Sequence, residues 1–593
     1  PPSPPPPSSQ SSLPPPQPAS PAFGDFGARP HVVFAMVDDW GWDLWPGREA
    51  STLDTSGSVR QLLPHATRWL ADEGLVLSRH YAYHSCAPSR QALLSGRLPI
   101  HQNQDNAACS SVPRNVPTLA DAMRGAGYAT HFLGKWHCGF LRASLTPTRR
   151  GFDSSLGFFL RGHGHASHCA ASLEKHSLSQ HQLDQPVEEC AVAPHDATRA
   201  TLYDFFVGQP DGRGDVAVRE ADHPAIQDHL DSSQLYGDTA VQLIGEHDAS
   251  RPFFLYVGWT LPHGPDADRS LKEATMAFTP AGNWKMRAPL SSSTRATRKE
   301  VRTRAAAAGE AGAAGGGSDG SAPPHYTAGH QGHRDYSLAL SWLDRGVGTV
   351  LWALQRRGIM HNTLLTFMSD HGSTDKGHCF SRGTLTPLLI QWPDLVRPGS
   401  WVSEPTSLLD VAATLLHAAL DASNTTLFAS PGSLAPPSSG LAVAPRLHGI
   451  SLLGQMRPQL RTQYLNFGGR PPPPPPPDYA AGRKLICEAG HTRSLVTGTY
   501  RYIFAPQVRK STAEAYGAAG RHPGILSIEQ LYDLATDPNE EKELIQAYSL
   551  IASSLVQQTP LTGHREIAAA EALGSFRRAM QRDLADVAVT CGV

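Results

Sequence analysis

The run His31-Val32-Val33-Phe34-Ala35-Met36-Val37 is apolar without alternation and ends on two acids, Asp38 and Asp39. A strand covered on both faces needs that pattern. Phe253 to Trp259 is another apolar strand, and Ala129 to Gly134 and Thr363 to Met368 also read as strands. Helical spacing lies between these runs: Thr118 to Tyr128 reads as an amphipathic helix stopped by glycine. Leu338 to Arg357 sets Leu338, Leu343, Val347, Val350 and Leu354 on one side. Strands alternating with helices predict a layered α/β domain, whose ligands gather where strands end. Later, Arg493 to Ile503 has hairpin character with its turn at Gly498, and Leu531-Tyr532-Asp533-Leu534 follows it.

Three stretches carry no such pattern. Residues 1–28 are dominated by Pro and Ser, too few apolar groups to fold, and are expected to be an extended linker. An Ala/Gly/Arg-rich insert near 291–324 reads as a disordered surface loop, and Pro471 to Pro477 is a second break. The expected organisation is a main domain over 29–465 and a C-terminal subdomain over 466–593.

At 593 residues and 40% hydrophobic content the chain can bury a large core. Lys+Arg 51 against Asp+Glu 53 leaves a net charge of −2, so no overall basic field argues for nucleic acid, and any anion site must be local. No run approaches the ~18 consecutive apolar residues of a membrane span. The chain opens at Pro1, which fits either a removed leader or a fragment. Of eight cysteines, Cys169 and Cys190 flank a polar segment and are the expected disulfide, with free buried thiols as the alternative. Asn424-Thr425-Thr426 is a glycosylation sequon, a triplet that also arises by chance.

Candidate chemistry centres on Cys86-Ala87-Pro88-Ser89-Arg90, followed by Gln91 to Arg97. Read alone, this is a small buried cysteine before a proline-started helix. Three companions change the picture: Val37-Asp38-Asp39-Trp40-Gly41, Gly134-Lys135-Trp136-His137-Cys138-Gly139 and Ser369-Asp370-His371-Gly372. Together they resemble the sulfatase family, over a span from about His31 to Leu544. The resemblance implies an alkaline-phosphatase-like α/β sandwich with a large mixed, mostly parallel central sheet and a small C-terminal antiparallel subdomain. It also implies that Cys86 is oxidised during biosynthesis to Cα-formylglycine by a formylglycine-generating enzyme, and that the substrate is a sulfated small molecule or carbohydrate.

Adjacent aspartates at a strand end repel one another unless a cation or a capping role separates them. The resemblance favours a divalent cation held by Asp38, Asp39, residue 86, Asp370 and His371. Oxygen donors favour Ca²⁺, or else Mg²⁺, while the histidine makes the metal's identity less certain. Residue 86 should lie at a helix N-terminus, where free N–H groups favour an anion. Arg90, four residues on, returns to the same face and is expected to hold the hydrate. By resemblance Lys135 contacts sulfate, His137 handles the proton of the hydrate, and His263 in Pro262-His263-Gly264-Pro265 is the acid for the leaving oxygen. The family's second lysine aligns with Lys376, although Phe380 and Ser381 replace the usual tyrosine and glutamate. Thr146 to Asp153, and the segment from His168 to Cys190, resemble arylsulfatases of the B type, which act on sulfated sugars; the loop Gly162 to His165 departs from that type.

The expected function is therefore hydrolysis of aryl or carbohydrate sulfate monoesters in the secretory pathway, leading to the extracellular space, a cell wall or a lysosome-like compartment. Two alternatives are a phosphodiester or phosphonate monoester hydrolase of the same superfamily and a non-catalytic matrix protein that binds sulfated glycans.

Overall fold

A computed structural model describes residues 29–42, 45, 63–101, 111–140, 142–160, 205–209, 214–217, 232–263, 336–372, 377–393, 395–420, 448–455, 484–489, 492–505 and 529–538, with isolated positions and two short ribbons. Residues 1–28, the 291–324 insert, the 471–477 polyproline stretch, the 162–165 loop, the sequon at Asn424 and Lys376 lie outside the described residues, as do the side chains of the expected Cys169–Cys190 pair.

Strands β1 (His31–Val37), β2 (Leu75–Tyr81), β3 (Ala129–Lys135), β4 (Ser154–Phe158), β5 (Phe206–Gln209), β6 (Gly214–Ala217), β7 (Phe253–Gly258), β8 (Thr363–Ser369), β9 (Leu385–Gln391), β10 (Ser400–Val402) and β11 (Thr406–Ser407) form one sheet. Its order is β10-β2-β9-β8-β1-β7-β3-β4-β5-β6, with β11 also on β2. The centre, β8-β1-β7-β3-β4, is parallel throughout. Strand β9 runs antiparallel to both its neighbours, and β5 and β6 close the far edge in antiparallel pairing.

The apolar run of β1 is explained by what covers it. Val32, Phe34 and Met36 point into one core with helices α1 (Cys86–Ser95), α2 (Leu119–Gly125) and α5 (Leu408–Ala419). Val33, Ala35 and Val37 point into the other, with α3 (Ser232–Glu246) and α4 (Tyr336–Arg357). Helix α2 starts on a capping box between Thr118 and Asp121, and the chain turns at Gly127, where φ is +86°. Leu343, Val347, Val350 and Leu354 of α4 are buried, as their spacing predicts.

The C-terminal part is a four-stranded antiparallel meander of β12 (Leu485–Ala489), β13 (Thr492–Thr497), β14 (Tyr500–Phe504) and β15 (Glu529–Asp533), with the hairpin turn at Gly498. It packs on the main body through Phe380 against Ile503 and Tyr532, and through Tyr81 against Leu485 and Val496. The whole is the expected alkaline-phosphatase-like sandwich with its small antiparallel subdomain. Among the described residues no helix is long and apolar enough to cross a membrane.

Candidate active site

Because β1 and β8 are parallel neighbours in register, Val37 opposite Ser369, the acids that follow each strand emerge side by side. Two cross-links hold them there: the Asp370 N–H donates to the Val37 carbonyl at 3.0 Å and the Trp40 N–H to Ser369 Oγ at 3.0 Å. Strand β2 delivers the chain to α1, whose first residue is Cys86. Pro88 thus sits in the first turn, where its missing N–H costs nothing. Every residue of α1 is buried, so the helix belongs to the interior, and Arg90 and Gln91 are carried inside with it.

One ligand atom each from Asp38, Cys86, Asp370 and His371 lies within 4.8 Å of the others, all buried; Asp38, Asp39 and His263 form an overlapping set. His371 Nδ1 donates to the Gly372 carbonyl at 3.0 Å. Its Nε2 therefore faces Asp39 Oδ1 at 3.1 Å, Asp38 Oδ1 at 3.5 Å, Asp370 Oδ1 at 3.5 Å and Cys86 Sγ at 3.2 Å. Asp370 Oδ1 is buried and accepts no hydrogen bond. Carboxylate oxygens converging with an imidazole nitrogen, one of them unsatisfied, form the donor set of a divalent cation.

Electrostatics agree. Burial and the neighbouring Asp38 push Asp370 up to about 6, even though Arg90 Nε and Nη2 both sit 2.9 Å from its Oδ2. Burial also opposes the charge on Asp38, but Lys135, His263, His371 and Arg90 hold it well below the usual carboxylate range. Lys135 Nζ ion-pairs with Asp38 Oδ2, and despite burial the nearby Asp38 raises its pKa. Three carboxylates against Arg90 and Lys135 leave this cluster net negative; a divalent cation makes it net positive, as a sulfate monoester requires.

His137 and Lys135 sit together at the end of β3, both fully buried. His137 and Asp39 adopt φ of +50° and +62°, a region that costs a non-glycine residue ~1–3 kcal/mol and persists where the surroundings impose it. His263 Nε2 lies 3.6 Å from Asp39 Oδ2, which orients the imidazole toward the same centre. The structure therefore brings together Asp38, Asp39, Cys86, Arg90, Lys135, His263, Asp370 and His371, and buries His137 two residues beyond Lys135; Lys376 alone of the expected residues lies outside the described chain. Arg90 donates through Nε to Asp370 Oδ2 and through Nη1 to the Lys135 carbonyl at 3.0 Å.

A family model described as Sulfatase matches residues 30–422, about two thirds of the chain. The chain belongs to the sulfatase family. Among curated relatives, arylsulfatase J of Mus musculus is 25% identical over 352 residues, covering 58% of this chain and 43% of its own length. Steryl-sulfatase of Mus musculus is 26% identical over 455 residues, covering 66% and 62%, and arylsulfatase G of Homo sapiens 31% over 276 residues, covering 44% and 46%. The chain thus spans about half the length of the curated relatives it matches. Among solved structures, Ps i-CgsB in complex with k-i-k-neocarrahexaose superposes with a TM-score of 0.51 at 18% identity, covering 89% of this chain and 91% of the other. The PsFucS1 sulfatase from Pseudoalteromonas sp. gives 0.50 at 17%, covering 89% and 90%. These matches support the family and its fold and do not single out the B type.

Two features of this sulfatase-family site escaped the sequence reading. The first is a row of glycines under Arg90: Gly134 pairs with Gly157 on one side and Gly258 on the other. A Cβ at Gly134 would stand 2.1 Å from the Gly258 oxygen, and one at Gly258 would stand 2.9 Å from the Lys135 oxygen and 3.2 Å from Arg90 Nη1. Gly134 and Gly258 look like ordinary strand ends and Gly157 lies within the apolar run Leu156 to Leu160, so only their register reveals the row. The second is a disulfide between Cys379 and Cys487, 108 residues apart, which no local spacing betrays. Cys138 is free and buried.

The B-type likeness of Thr146 to Asp153 has a structural cause. Arg150 donates to the carbonyls of Arg114, Pro113 and Val116, Phe152 is core, and Gly151 lies so close to α2 that a Cβ would stand 2.2 Å from Asp121 N. These residues hold the scaffold, so their likeness carries no information about substrate.

Proposed function

We propose that the protein hydrolyses sulfate monoesters, aryl or carbohydrate, through a formylglycine hydrate derived from Cys86. The observation that carries this reading is the convergence of Cys86, at the first turn of a buried helix, with Asp38, Asp370 and His371. Those residues, with Asp39, would hold one divalent cation; the oxygen-rich donor set favours Ca²⁺ over Mg²⁺. When present, the hydrate supplies a hydroxyl nucleophile and the cation supplies positive charge beside it.

This chain's own residues do the remaining work. The N-terminal N–H groups of α1 and the Lys135 ammonium attract the sulfate oxygens. Arg90 holds Asp370 by its Oδ2 alone, leaving Oδ1 for the donor set. His137, buried two residues beyond Lys135, is assigned the proton of the hydrate on the motif. His263, oriented by Asp39, gives a proton to the departing alcohol oxygen. Lys376 is assigned to the sulfate on the motif alone. The Cys379–Cys487 disulfide supports a secretory, oxidising compartment, where a formylglycine-generating enzyme would be the biosynthetic partner.

Two measurements test the reading on protein from a eukaryotic secretory host. Peptide mass spectrometry of His80 to Arg90 should show an aldehyde or its hydrate at residue 86. Initial rates on matched aryl sulfate and aryl phosphate esters should favour sulfate. A preference for phosphate would transfer the protein to the phosphodiester and phosphonate hydrolases of the superfamily, and an intact thiol with glycan affinity but no turnover would make it a binding protein.

A further inference from the structure

The loop 377–384 touches both halves of the site and is itself gripped from the C-terminal subdomain. On the site side, the Gly377 N–H donates to the His84 carbonyl at 2.7 Å, two residues before Cys86. The Gly372 N–H donates to the Gly383 carbonyl at 2.9 Å, directly after His371, and a Cβ at Gly372 would stand 1.8 Å from the Arg382 oxygen. The backbone carrying His371 therefore cannot shift independently of this loop.

On the subdomain side, Arg501 of β14 and Glu540 form a fully buried ion pair, Nε to Oε1 at 2.7 Å. Glu540 takes both donors of Ser381, the N–H at 2.8 Å on Oε2 and the hydroxyl at 2.8 Å on Oε1. Arg501 donates to the Cys379 carbonyl and, at 3.5 Å, to Thr384 Oγ1. Its guanidinium also lies over the Tyr81 ring at 5.2 Å. Glu540 holds φ at +59°, so a strained backbone is tolerated to place this carboxylate. The disulfide joins the same loop, at Cys379, to β12 at Cys487. A buried pair of this kind is weak support for stability, since apolar residues would pack as well; its value lies in fixing one geometry.

We propose that Glu540 and Arg501 are positioning residues for the metal centre, acting through Ser381 and Gly383 on His371, so that the C-terminal subdomain sets the site's affinity for its cation. The proposal rests on the sulfatase reading only for the identity of the reaction; metal affinity can be read without turnover.

The test uses the full chain, with wild type, Ser381→Ala and Glu540→Gln each stripped by chelator and titrated with Ca²⁺ alone. Affinity is followed by calorimetry and by the metal-induced rise in Tm, and turnover of an aryl sulfate is measured separately. Glu540→Gln is expected to weaken Ca²⁺ binding about tenfold or more and Ser381→Ala about threefold. Excess Ca²⁺ should restore most of kcat with KM little changed. Ser381→Ala removes one hydroxyl from a loop and keeps the ion pair, so it reads out even if Glu540→Gln does not fold. A lower Tm with unchanged Ca²⁺ affinity in the folded variants would reduce the pair to a structural brace and overturn the proposal. If the wild type binds Ca²⁺ and the variants bind it less well but none turns over sulfate, the positioning role stands and the sulfatase reading fails.

Discussion

At the scale of single residues, Asp38 and Asp39 are adjacent yet differently tied. Asp38 is the ion-pair partner of buried Lys135 and lies 3.6 Å from Arg90, whereas Asp39 faces His371 and His263. Both Asp38→Asn and Asp39→Asn should lose metal and activity. Measured in chelator, only Asp38→Asn should unfold markedly earlier, by about 3–5 kcal/mol, because it strands a buried ammonium. Asparagine tolerates the left-handed backbone of residue 39, so Asp39→Asn isolates the charge. Equal Tm losses in the two variants would contradict this assignment. Cys86→Ala should abolish turnover while changing Tm by no more than a few degrees, since the removed atom is one sulfur at a helix start; retained turnover would refute residue 86 as the nucleophile's source.

At the scale of elements, the site depends on three strand ends meeting in register. Gly258→Ala places a methyl group against the Lys135 carbonyl and Arg90 Nη1, and β7 cannot move away because β1 and β3 flank it. The expected result is a 10- to 100-fold fall in kcat/KM with a stability loss of about 1–3 kcal/mol from overpacking. An unchanged kcat/KM would show that Arg90 need not be held where it lies. The apolar runs of β1, β7 and β8 were readable because burial on both faces leaves a continuous pattern. Helix α1 was readable only through its motif, since a helix buried all round has no amphipathic period.

At the scale of the whole molecule, the end of the sheet opposite the site carries its own acid sensitivity. His31, at the start of β1, is lowered to about 4 by burial and by His247 and His361. His131 on β3 is lowered to about 4 by burial, with His247 and Arg251 adding to the effect and Asp153 opposing it. Both folded values are depressed, so the native state excludes protons that the unfolded chain accepts below about 6.5. Stability from this cluster is full above that pH and is lost as pH falls toward 4, by about 1–2 kcal/mol per histidine after solvent screening. Melting curves at pH 7 and pH 4.5 should show the loss, and His31→Asn with His131→Gln should reduce it; an equal acid loss in the double variant would place the sensitivity elsewhere.

The sequence by itself determined the layered α/β class and put forward the candidate site residues, because buried strands and strand-end motifs are local patterns. Asp38, Asp39, Cys86, Arg90, Lys135, Asp370 and His371, each in a motif at a strand end or helix start, and His263 a few residues beyond one, were candidates that the structure brings into one cluster. What only the tertiary structure decided are relations between distant segments: the register that lines up Gly134, Gly157 and Gly258, the turn of Arg90 onto Asp370, the Cys379–Cys487 link, and the grip of Arg501 and Glu540 on the loop beside His371. Each is a contact between segments far apart in the chain, and hydrophobic period and motif spacing report only on neighbours along it.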